Sequence, residues 1–269
     1  MSTPEARTTP GVLLDVRDLS VAFGDRTVVD QVSLQIARGE TLGVVGESGS
    51  GKSVTAFSIL RLVQPPGRIT GGQVLFEGRD LLALGESDMR AVRGARISLI
   101  FQEPMTALNP VMRIGDHIAE ALTVHGMASR ADARLRAIEL LDAVRIPDAA
   151  RRIRDYPHQL SGGMRQRVMI AIALACRPPL VIADEPTTAL DVTIQAQVLD
   201  LLRELRSQFN LSLLLITHDF GVIAEMADRV AVMFQGRVVE EGPVRQILRS
   251  PQHDYTRTLL AAVPGMGTR

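Results

Sequence analysis

The chain has 269 residues, 46% hydrophobic and 22% charged, a composition typical of a folded protein with one large domain or two small ones. Its 30 basic and 30 acidic residues cancel, so no net charge favours nucleic acid or an anionic membrane surface as a partner. The single cysteine, Cys176, excludes an intrachain disulfide framework and a four-cysteine metal site within this chain.

The N-terminus lacks the apolar run of a secretory signal, and we expect residues 1–11 to form a disordered tail. No apolar run approaches the roughly 20 residues that cross a bilayer. We therefore expect a cytoplasmic protein whose link to a membrane, if it has one, is made by a partner.

The N-terminal third of the chain predicts strands around a glycine-rich turn. Between Leu13 and Ile36, short runs with a polar break at Gly24-Asp25 predict antiparallel strands. Glu40–Gly46 is a continuous apolar strand of the kind buried in parallel sheets, and a helix is predicted over Ser53–Val63. Strand, glycine turn and helix together begin an α/β unit.

The middle of the chain changes from strands to helices. After a loop at Gln64–Gly67 and a short β segment, GGQVLFEG, the run Ile97–Gln102 predicts a buried strand. From about residue 104 to 161 the spacing of apolar residues is helical, which predicts a helical subdomain inserted into the α/β core.

The C-terminal part returns to alternating helices and strands. The predicted elements are a helix over Gly162–Ala175, a strand PLVIAD, a helix over Thr193–Gln208, a strand LSLLLIT, a helix after Asp219, a hairpin turning at Gln235-Gly236, and short helices over Val244–Arg249 and Tyr255–Ala262. Cys176 ends an apolar run, and we expect it to be a small buried hydrophobic residue.

The segment GESGSGKS fits the pattern G-x-x-x-x-G-K-[ST] and lies between a predicted strand and a predicted helix. Glycines let backbone N–H groups face a β-phosphate, and the helix dipole adds its positive end. Lys52 can reach the β- and γ-phosphate oxygens, and the Ser53 hydroxyl can coordinate Mg²⁺. The predicted triphosphate site comprises Gly46, Glu47, Ser48, Gly49, Ser50, Gly51, Lys52, Ser53 and Val54.

Polar residues at the ends of other predicted strands are candidates for the chemistry, because α/β sheets bind ligands at the carboxyl ends of their strands. Asp184 is predicted to hold Mg²⁺ through water, and Glu185 to polarise an attacking water. His218 could hydrogen-bond the γ-phosphate, although a structural role is the alternative for a lone histidine. Gln102 could sense Mg²⁺ or the water.

The segment LSGGMRQR predicts a second anion site. Ser161 would cap a helix, and Gly162-Gly163 would expose its first N–H groups. An ordinary capped helix is the alternative, but it does not need two consecutive glycines, each of which costs about 1 kcal/mol inside a helix. We therefore expect something to approach this backbone closely.

Together these motifs resemble one family, the nucleotide-binding subunits of ATP-binding cassette (ABC) transporters, over about residues 12–264. The resemblance implies a P-loop ATPase core with a parallel sheet, an antiparallel β subdomain and an inserted helical subdomain at about 104–161. It also implies bound ATP and Mg²⁺, a glutamine loop starting at Gln102, a D-loop at Ala189–Asp191, a switch histidine at His218 and stacking of Phe23 on adenine. Mg²⁺ would be bound by Ser53, Gln102 and Asp184.

The resemblance also implies a dimer. Two subunits would enclose ATP head to tail, with Ser161, Gly162 and Gly163 of one subunit contacting the γ-phosphate held by the other subunit.

Several stretches, including the tail SPQHDYTRTLLAAVP, are similar to the peptide/nickel importer branch of that family. The similarity implies an ATPase that powers import of dipeptides or oligopeptides, with nickel or another small solute as the alternative. Residues 265–269 would be a C-terminal tail. Many members of the branch carry a cysteine-bearing extension for an iron–sulfur cluster; with only Cys176, no cluster is predicted here.

The implied partners are two membrane-spanning permease subunits, a second ATP-binding subunit and, indirectly, an extracytoplasmic solute-binding protein. The branch favours a paralogue as the second subunit, and an identical copy stays open. The chain would be peripheral, on the cytoplasmic face of the plasma membrane. Two other classes are alternatives: a soluble, non-transport ABC ATPase, and a P-loop kinase or GTPase, which has no need of LSGGM.

Overall fold

The computed structural model describes residues 11–188 and 190–262. The chain divides into two compact units, the first formed by Met1–Met89 with Ser212–Arg269 and the second by Arg90–Leu211. The tails expected over residues 1–11 and 265–269 lie outside the described residues, apart from Gly11.

Unit one contains most of the strands. Its elements are β1 (Val12–Phe23), β2 (Arg26–Ala37), β3 (Thr41–Val45), α1 (Lys52–Ile59), β4 (Gly67–Phe76), β5 (Arg79–Asp80), β8 (Ser212–Thr217), α9 (Phe220–Met226), β9 (Arg229–Phe234), β10 (Arg237–Pro243), α10 (Val244–Arg249) and α11 (Asp254–Ala261).

Unit two contains most of the helices. Its elements are β6 (Ile97–Ile100), α3 (Pro104–Ala107), α4 (Ile114–Val124), α5 (Arg130–Ala143), α6 (Ala149–Arg152), α7 (Gly162–Leu174), β7 (Leu180–Asp184) and α8 (Val192–Phe209), and α2 (Glu86–Val92) crosses the division of the chain.

The antiparallel strands predicted near the N-terminus form a four-stranded sheet of order β2-β1-β4-β5. β1 and β2 are each 12 residues long, where the sequence predicted several short runs. Their register shifts at several points, as at bulges. These shifts interrupt the alternation of apolar and polar residues, which is why the pattern suggested breaks.

The parallel strands of unit one carry the glycine-rich turn. β3 lies between β8 and β9 and is parallel to both, and β10 pairs antiparallel with β9. All five residues of β3 are buried, as its continuous apolar sequence predicted. The β9–β10 hairpin turns at Gln235-Gly236, which confirms the predicted turn.

α1 begins at Lys52 and ends at Ile59, earlier than the predicted end at Val63. Arg61 adopts a left-handed φ of 54°, and the N–H groups of Arg61 and Leu62 donate to the carbonyls of Ser58 and Phe57. This is a Schellman end, which usually has glycine at the left-handed position. With arginine there, the sequence carried no stop signal.

Unit two contains helices where the sequence predicted them, between about residues 104 and 161. α4 buries Ile114, Ile118 and Leu122, and α5 buries Ala133, Ala137 and Leu141, in each case at four-residue spacing. Because residues four apart share one helix face, α4 and α5 pack against each other and against α7 through these stripes. Within the described residues, no helix is both long enough and apolar enough to cross a membrane.

Three sequence expectations need correction. β6 ends at Ile100, so Gln102 lies beyond the strand instead of closing it. The helix α2 was not predicted. Cys176 is half-buried and not a core residue: it follows α7, its S–H donates to the Ala121 carbonyl at 3.4 Å, and it lines a cavity of about 510 Å³.

Candidate nucleotide-binding site

The glycine-rich turn of unit one joins the end of β3 to the first residue of α1. Gly51 adopts a left-handed φ of 100° at the N-cap of α1. At Gly46 a side chain cannot fit, because a Cβ there would lie 2.2 Å from the Met233 carbonyl oxygen. The two outer glycines of the motif are therefore required by backbone geometry and close packing.

The inside of this phosphate loop is polar and buried. The Lys52 side chain is 5% exposed, and its ammonium donates to the carbonyls of Gly46 and Glu47 at 2.8 Å each. The Ser50 hydroxyl is also buried and has no hydrogen-bond partner in the described part of the chain. A Cβ at Gly49 would meet nothing within 4 Å, so the loop is open at that point. A buried donor without a partner beside open space fits an anionic phosphate.

Two contacts that the sequence did not reveal support the loop from behind. The Gly236 N–H donates to the Ser50 carbonyl at 3.0 Å, and a Cβ at Gly236 would lie 2.5 Å from the Val28 carbonyl oxygen. The Glu47 N–H donates to the Tyr255 hydroxyl at 3.0 Å. The sequence predicted a hairpin turn at Gly236 and a short helix at Tyr255. Neither pattern indicated a contact with the phosphate loop.

Phe23 and His218 also belong to unit one. Phe23 ends β1 and is half-buried, and its ring lies so close to Gly67 that a Cβ there would be 2.6 Å from it. His218 is exposed directly after β8. The Asp219 N–H donates to the Thr217 hydroxyl at 3.1 Å, and the Asp219 carboxylate accepts from the Gly221 N–H at 2.7 Å. The backbone on the C-terminal side of His218 is thereby fixed.

The acidic strand end lies in unit two. Asp184 ends β7 and is 2% exposed. Glu185 follows with φ of 47°, in the left-handed region that non-glycine residues rarely adopt and that is frequent at functional sites. Its carboxylate accepts hydrogen bonds from the Gln102 amide at 3.2 Å and from the Thr188 hydroxyl at 2.7 Å. The structure thus brings Gln102 and Glu185 together and adds Thr188, which the sequence did not indicate.

The family's signature segment, LSGGM at Leu160–Met164, leads into α7 as predicted. The Ser161 hydroxyl accepts from the Met164 N–H at 3.3 Å and caps the helix. Asp191 caps α8, because its carboxylate accepts from the Ile194 N–H at 3.0 Å. Ala189, the first residue of the expected D-loop, lies outside the described residues.

The two glycines of the signature have different surroundings. A Cβ at Gly163 would lie 2.6 Å from Cγ2 of Ile194, whereas a Cβ at Gly162 would meet only Cδ2 of Leu190 at 3.7 Å. The expected close approach to this backbone is therefore made at Gly163 by the chain's own α8. At Gly162 the backbone leaves room for a ligand or a partner.

A buried strand, a glycine loop closed around a buried lysine, and a helix starting at that lysine define a P-loop nucleotide-binding protein. The chain belongs to the ABC transporter family, whose model matches residues 29–188. It is accordingly an ATP-binding and ATP-hydrolysing protein with the P-loop ATPase α/β fold. The matched range includes the phosphate loop, the signature and the acidic strand end, and Phe23, Asp191 and His218 lie outside it.

Similar proteins with curated names are transport ATP-binding proteins. The oligopeptide transport ATP-binding protein OppD of Salmonella typhimurium is 52% identical over 257 residues, covering 94% of this chain and 76% of that protein. The dipeptide transport ATP-binding protein DppD of Haemophilus influenzae is 53% identical over 256 residues, covering 94% and 78% respectively.

Solved structures show the same fold. A dimeric ATP-binding cassette bound to ADP and Pi, in a post-hydrolysis state, superposes with a TM-score of 0.76 at 29% identity, covering 86% of this chain and 99% of that one. The cbiO1 protein of Clostridium perfringens superposes with a TM-score of 0.77 at 23% identity, covering 96% and 98%, and this likeness concerns the fold alone.

Proposed function

We propose that this chain is the ATP-hydrolysing subunit of an importer that carries dipeptides or oligopeptides across the cytoplasmic membrane. The supporting observation is the similarity, at 52–54% identity over 94% of the chain, to four proteins whose names specify peptide, oligopeptide or dipeptide transport. The phosphate loop and the Glu185–Gln102 pair supply groups suited to ATP binding and hydrolysis.

The proposed roles in unit one concern ATP binding. The Lys52 ammonium binds the phosphates together with N–H groups of residues 46–54 other than that of Glu47, which donates to Tyr255. The Ser53 hydroxyl ligates Mg²⁺, and Phe23 stacks on adenine. Mg²⁺ supplies neutralisation of charge on the β- and γ-phosphates. Within the described residues no cluster of three or more histidine, cysteine or acidic side chains could hold a metal alone. That fits Mg²⁺, which usually takes one or two carboxylates together with substrate phosphates and water.

The proposed roles in hydrolysis belong to residues at strand ends. Glu185 orients and polarises the attacking water, and Asp184 holds Mg²⁺ through water. Gln102 contributes its amide oxygen to Mg²⁺ or to the water, an orientation compatible with its amide nitrogen donating to Glu185. His218 hydrogen-bonds the γ-phosphate.

The signature acts across a dimer in this proposal. Ser161, Gly162 and Gly163 of one subunit contact the γ-phosphate bound by the other, and Asp191 belongs to the D-loop at that interface. Because Ser161 and Asp191 each cap a helix of their own subunit, the N-termini of α7 and α8 are already ordered before the partner arrives. Preorganised N–H groups stabilise transition-state charge without reorganisation.

The proposed role in a transporter implies a particular assembly. The ATP-binding domain spans residues 12–264, with its helical subdomain at about 104–161, and lies on the cytoplasmic face of the membrane. It pairs with a second ATP-binding subunit, a paralogue or an identical copy, and with two permease subunits. An extracytoplasmic solute-binding protein delivers the cargo, and no nucleic acid is involved.

The role of Glu185 is tested by Glu185→Gln. We expect ATP binding to persist, hydrolysis to fall by about two orders of magnitude or more, and an ATP-dependent dimer to accumulate, because the amide cannot polarise water. Steady-state ATPase assays and size-exclusion chromatography with ATP measure these changes. Glu139→Gln, on an exposed position of α5, is the matched control. Normal turnover in Glu185→Gln would exclude Glu185 as the polarising base.

The cargo is tested in proteoliposomes containing the whole transporter. Binding protein loaded with a dipeptide or an oligopeptide should stimulate ATP hydrolysis and drive uptake of labelled peptide. Binding protein loaded with a nickel chelate should leave the rate at its basal level. Stimulation by the nickel chelate alone would refute the peptide proposal while leaving the ATPase assignment in place.

A further inference from the structure

The C-terminal helix of unit one reaches the phosphate loop through a single side chain. The hydroxyl oxygen of Tyr255, in the first turn of α11, accepts the Glu47 N–H at 3.0 Å. These residues are 208 positions apart in the chain. In this arrangement the Glu47 N–H is satisfied by Tyr255.

The hydrogen bond between Glu47 and Tyr255 involves the same peptide unit whose carbonyl accepts a hydrogen bond from Lys52. The Glu47 N–H and the Gly46 carbonyl belong to one planar amide, whose two ends point in opposite directions. Tyr255 accepts from the N–H end, and the Lys52 ammonium donates to the carbonyl end at 2.8 Å. Rotation of this plane would therefore break one contact and displace the carbonyl that positions the lysine.

Tyr255 is itself held in place by several contacts. Its ring stacks on Phe234, the last residue of β9, with centroids 4.0 Å apart. Its N–H donates to Nδ1 of His253 at 3.1 Å, which caps α11. The Glu240 carboxylate accepts from the N–H groups of Gln252 and His253 at 2.7 and 3.1 Å. Burial raises the pKa of Tyr255, so the phenol stays neutral at physiological pH.

We infer that Tyr255 is a positioning residue for the phosphate loop: it fixes the Gly46–Glu47 peptide plane so that Lys52 is held ready for the nucleotide phosphates. The inference rests on the proposed binding of ATP by this loop. It assigns to α11 a role in nucleotide affinity, transmitted through one hydrogen bond, and Tyr255 makes no contact with the nucleotide itself.

The test is Tyr255→Phe, which keeps the ring on Phe234 and removes only the hydroxyl. Loss of one hydrogen bond in the loop should raise the Kd for a fluorescent ATP analogue and the KM for ATP by about 2- to 10-fold. The kcat at saturating ATP should change less than 2-fold, because Glu185 and Gln102, which act on the attacking water in the proposed function, are untouched. A purely structural role for Tyr255 would lower the melting temperature without this split between KM and kcat.

Tyr156, the other tyrosine of the chain, provides the control variant. Tyr156→Phe removes the hydroxyl in unit two and should leave Kd, KM and kcat unchanged. If the unsubstituted chain failed to bind ATP, the proposed function would fall and the inference with it. If the unsubstituted chain bound ATP and Tyr255→Phe bound it equally well, or lost kcat at constant KM, the inference alone would be overturned.

Discussion

Gly162 and Gly163 are adjacent in the sequence and differ in why each is glycine. Gly163 lies against Ile194 of the same chain, with no room for a methyl group, and Gly162 has ordinary space around it. Glycine disfavours a helix relative to alanine, by about 1 kcal/mol in the interior and by less at the first two positions of α7, where Gly162 and Gly163 lie. Packing of α7 against α8 accounts for that cost at Gly163. At Gly162 packing within the chain does not, which leaves the proposed trans contact as its explanation.

Alanine substitutions separate the two glycines. Gly163→Ala should destabilise the fold by about 1–3 kcal/mol through overpacking, and Gly163→Ala with Ile194→Ala should recover part of that loss. Gly162→Ala should leave the unfolding free energy within about 0.5 kcal/mol but reduce cooperative ATP turnover. Urea unfolding and ATPase assays on the same preparations measure both effects. Equal destabilisation by the two single substitutions would contradict this assignment.

Residues whose partners are near in sequence were predictable, and those with distant partners were not. Ser161 caps its own helix three residues on, and Lys52 folds back on carbonyls five and six residues earlier. Tyr255 lies 208 residues from its partner Glu47. Thr188 is close to Glu185, but their contact depends on the left-handed backbone at Glu185, which nothing in the sequence announces.

At the scale of elements, the loop between α10 and α11 is held by the carboxylate of Glu240 in β10, and the pKa of the neighbouring Glu241 shifts in the opposite direction. Burial would raise the pKa of Glu240, but hydrogen bonds from the N–H groups of Gln252 and His253 outweigh it and lower that pKa. For Glu241, burial dominates over the attraction of Arg229 and raises the pKa. Acidification should therefore change the contributions of these two adjacent residues of β10 to folding stability in opposite directions.

The pH dependence of stability should separate Glu240 from Glu241. A lowered folded pKa stabilises above the ordinary value of 4.5, and this contribution is lost as pH falls through the folded pKa. The advantage of the native chain over Glu240→Gln should thus shrink as pH falls below 4.5 through the folded pKa. The native chain should gain relative to Glu241→Gln as pH falls toward 4.5 through the raised folded pKa of Glu241. Urea midpoints at several pH values measure both trends, and parallel trends would disprove the opposite shifts.

The helices and strands predicted most accurately are those whose type follows from a single sequence pattern. β3 and the stripes of α4 and α5 follow from apolar periodicity alone. The end of α1 was misplaced because Arg61 occupies a left-handed position that glycine usually marks. α2 was missed because only Met89 of its residues is buried, so it has almost no apolar stripe.

At the scale of the molecule, the fold separates the machinery into two compact units. The phosphate loop and His218 belong to one unit, and Gln102, Glu185 and the signature helix belong to the other. In the proposed cycle, ATP-driven dimerisation acts on units that are already folded, and the ATP-dependent dimer of Glu185→Gln tests that step.

The single thiol reports on folding of the whole chain. Burial raises the pKa of Cys176, so at neutral pH its thiolate fraction is smaller than that of an exposed cysteine. We expect a disulfide exchange reagent to modify the folded protein at least about 10-fold more slowly than the urea-unfolded protein at the same pH. Cys176→Ser is the blank for the assay. Equal rates in the two states would show that the thiol is not protected.

Two of the hairpin turns of unit one differ in how they would tolerate insertional tagging. At Gly24-Asp25 the turn is exposed and a side chain on Gly24 would meet nothing within 4 Å, so an epitope or fluorophore could be accommodated there. Gln235-Gly236 is the same kind of short turn, but its glycine holds the Ser50 carbonyl and lies against Val28. A tag inserted at Gln235-Gly236 would disrupt these contacts and so perturb the phosphate loop of the protein that it labels.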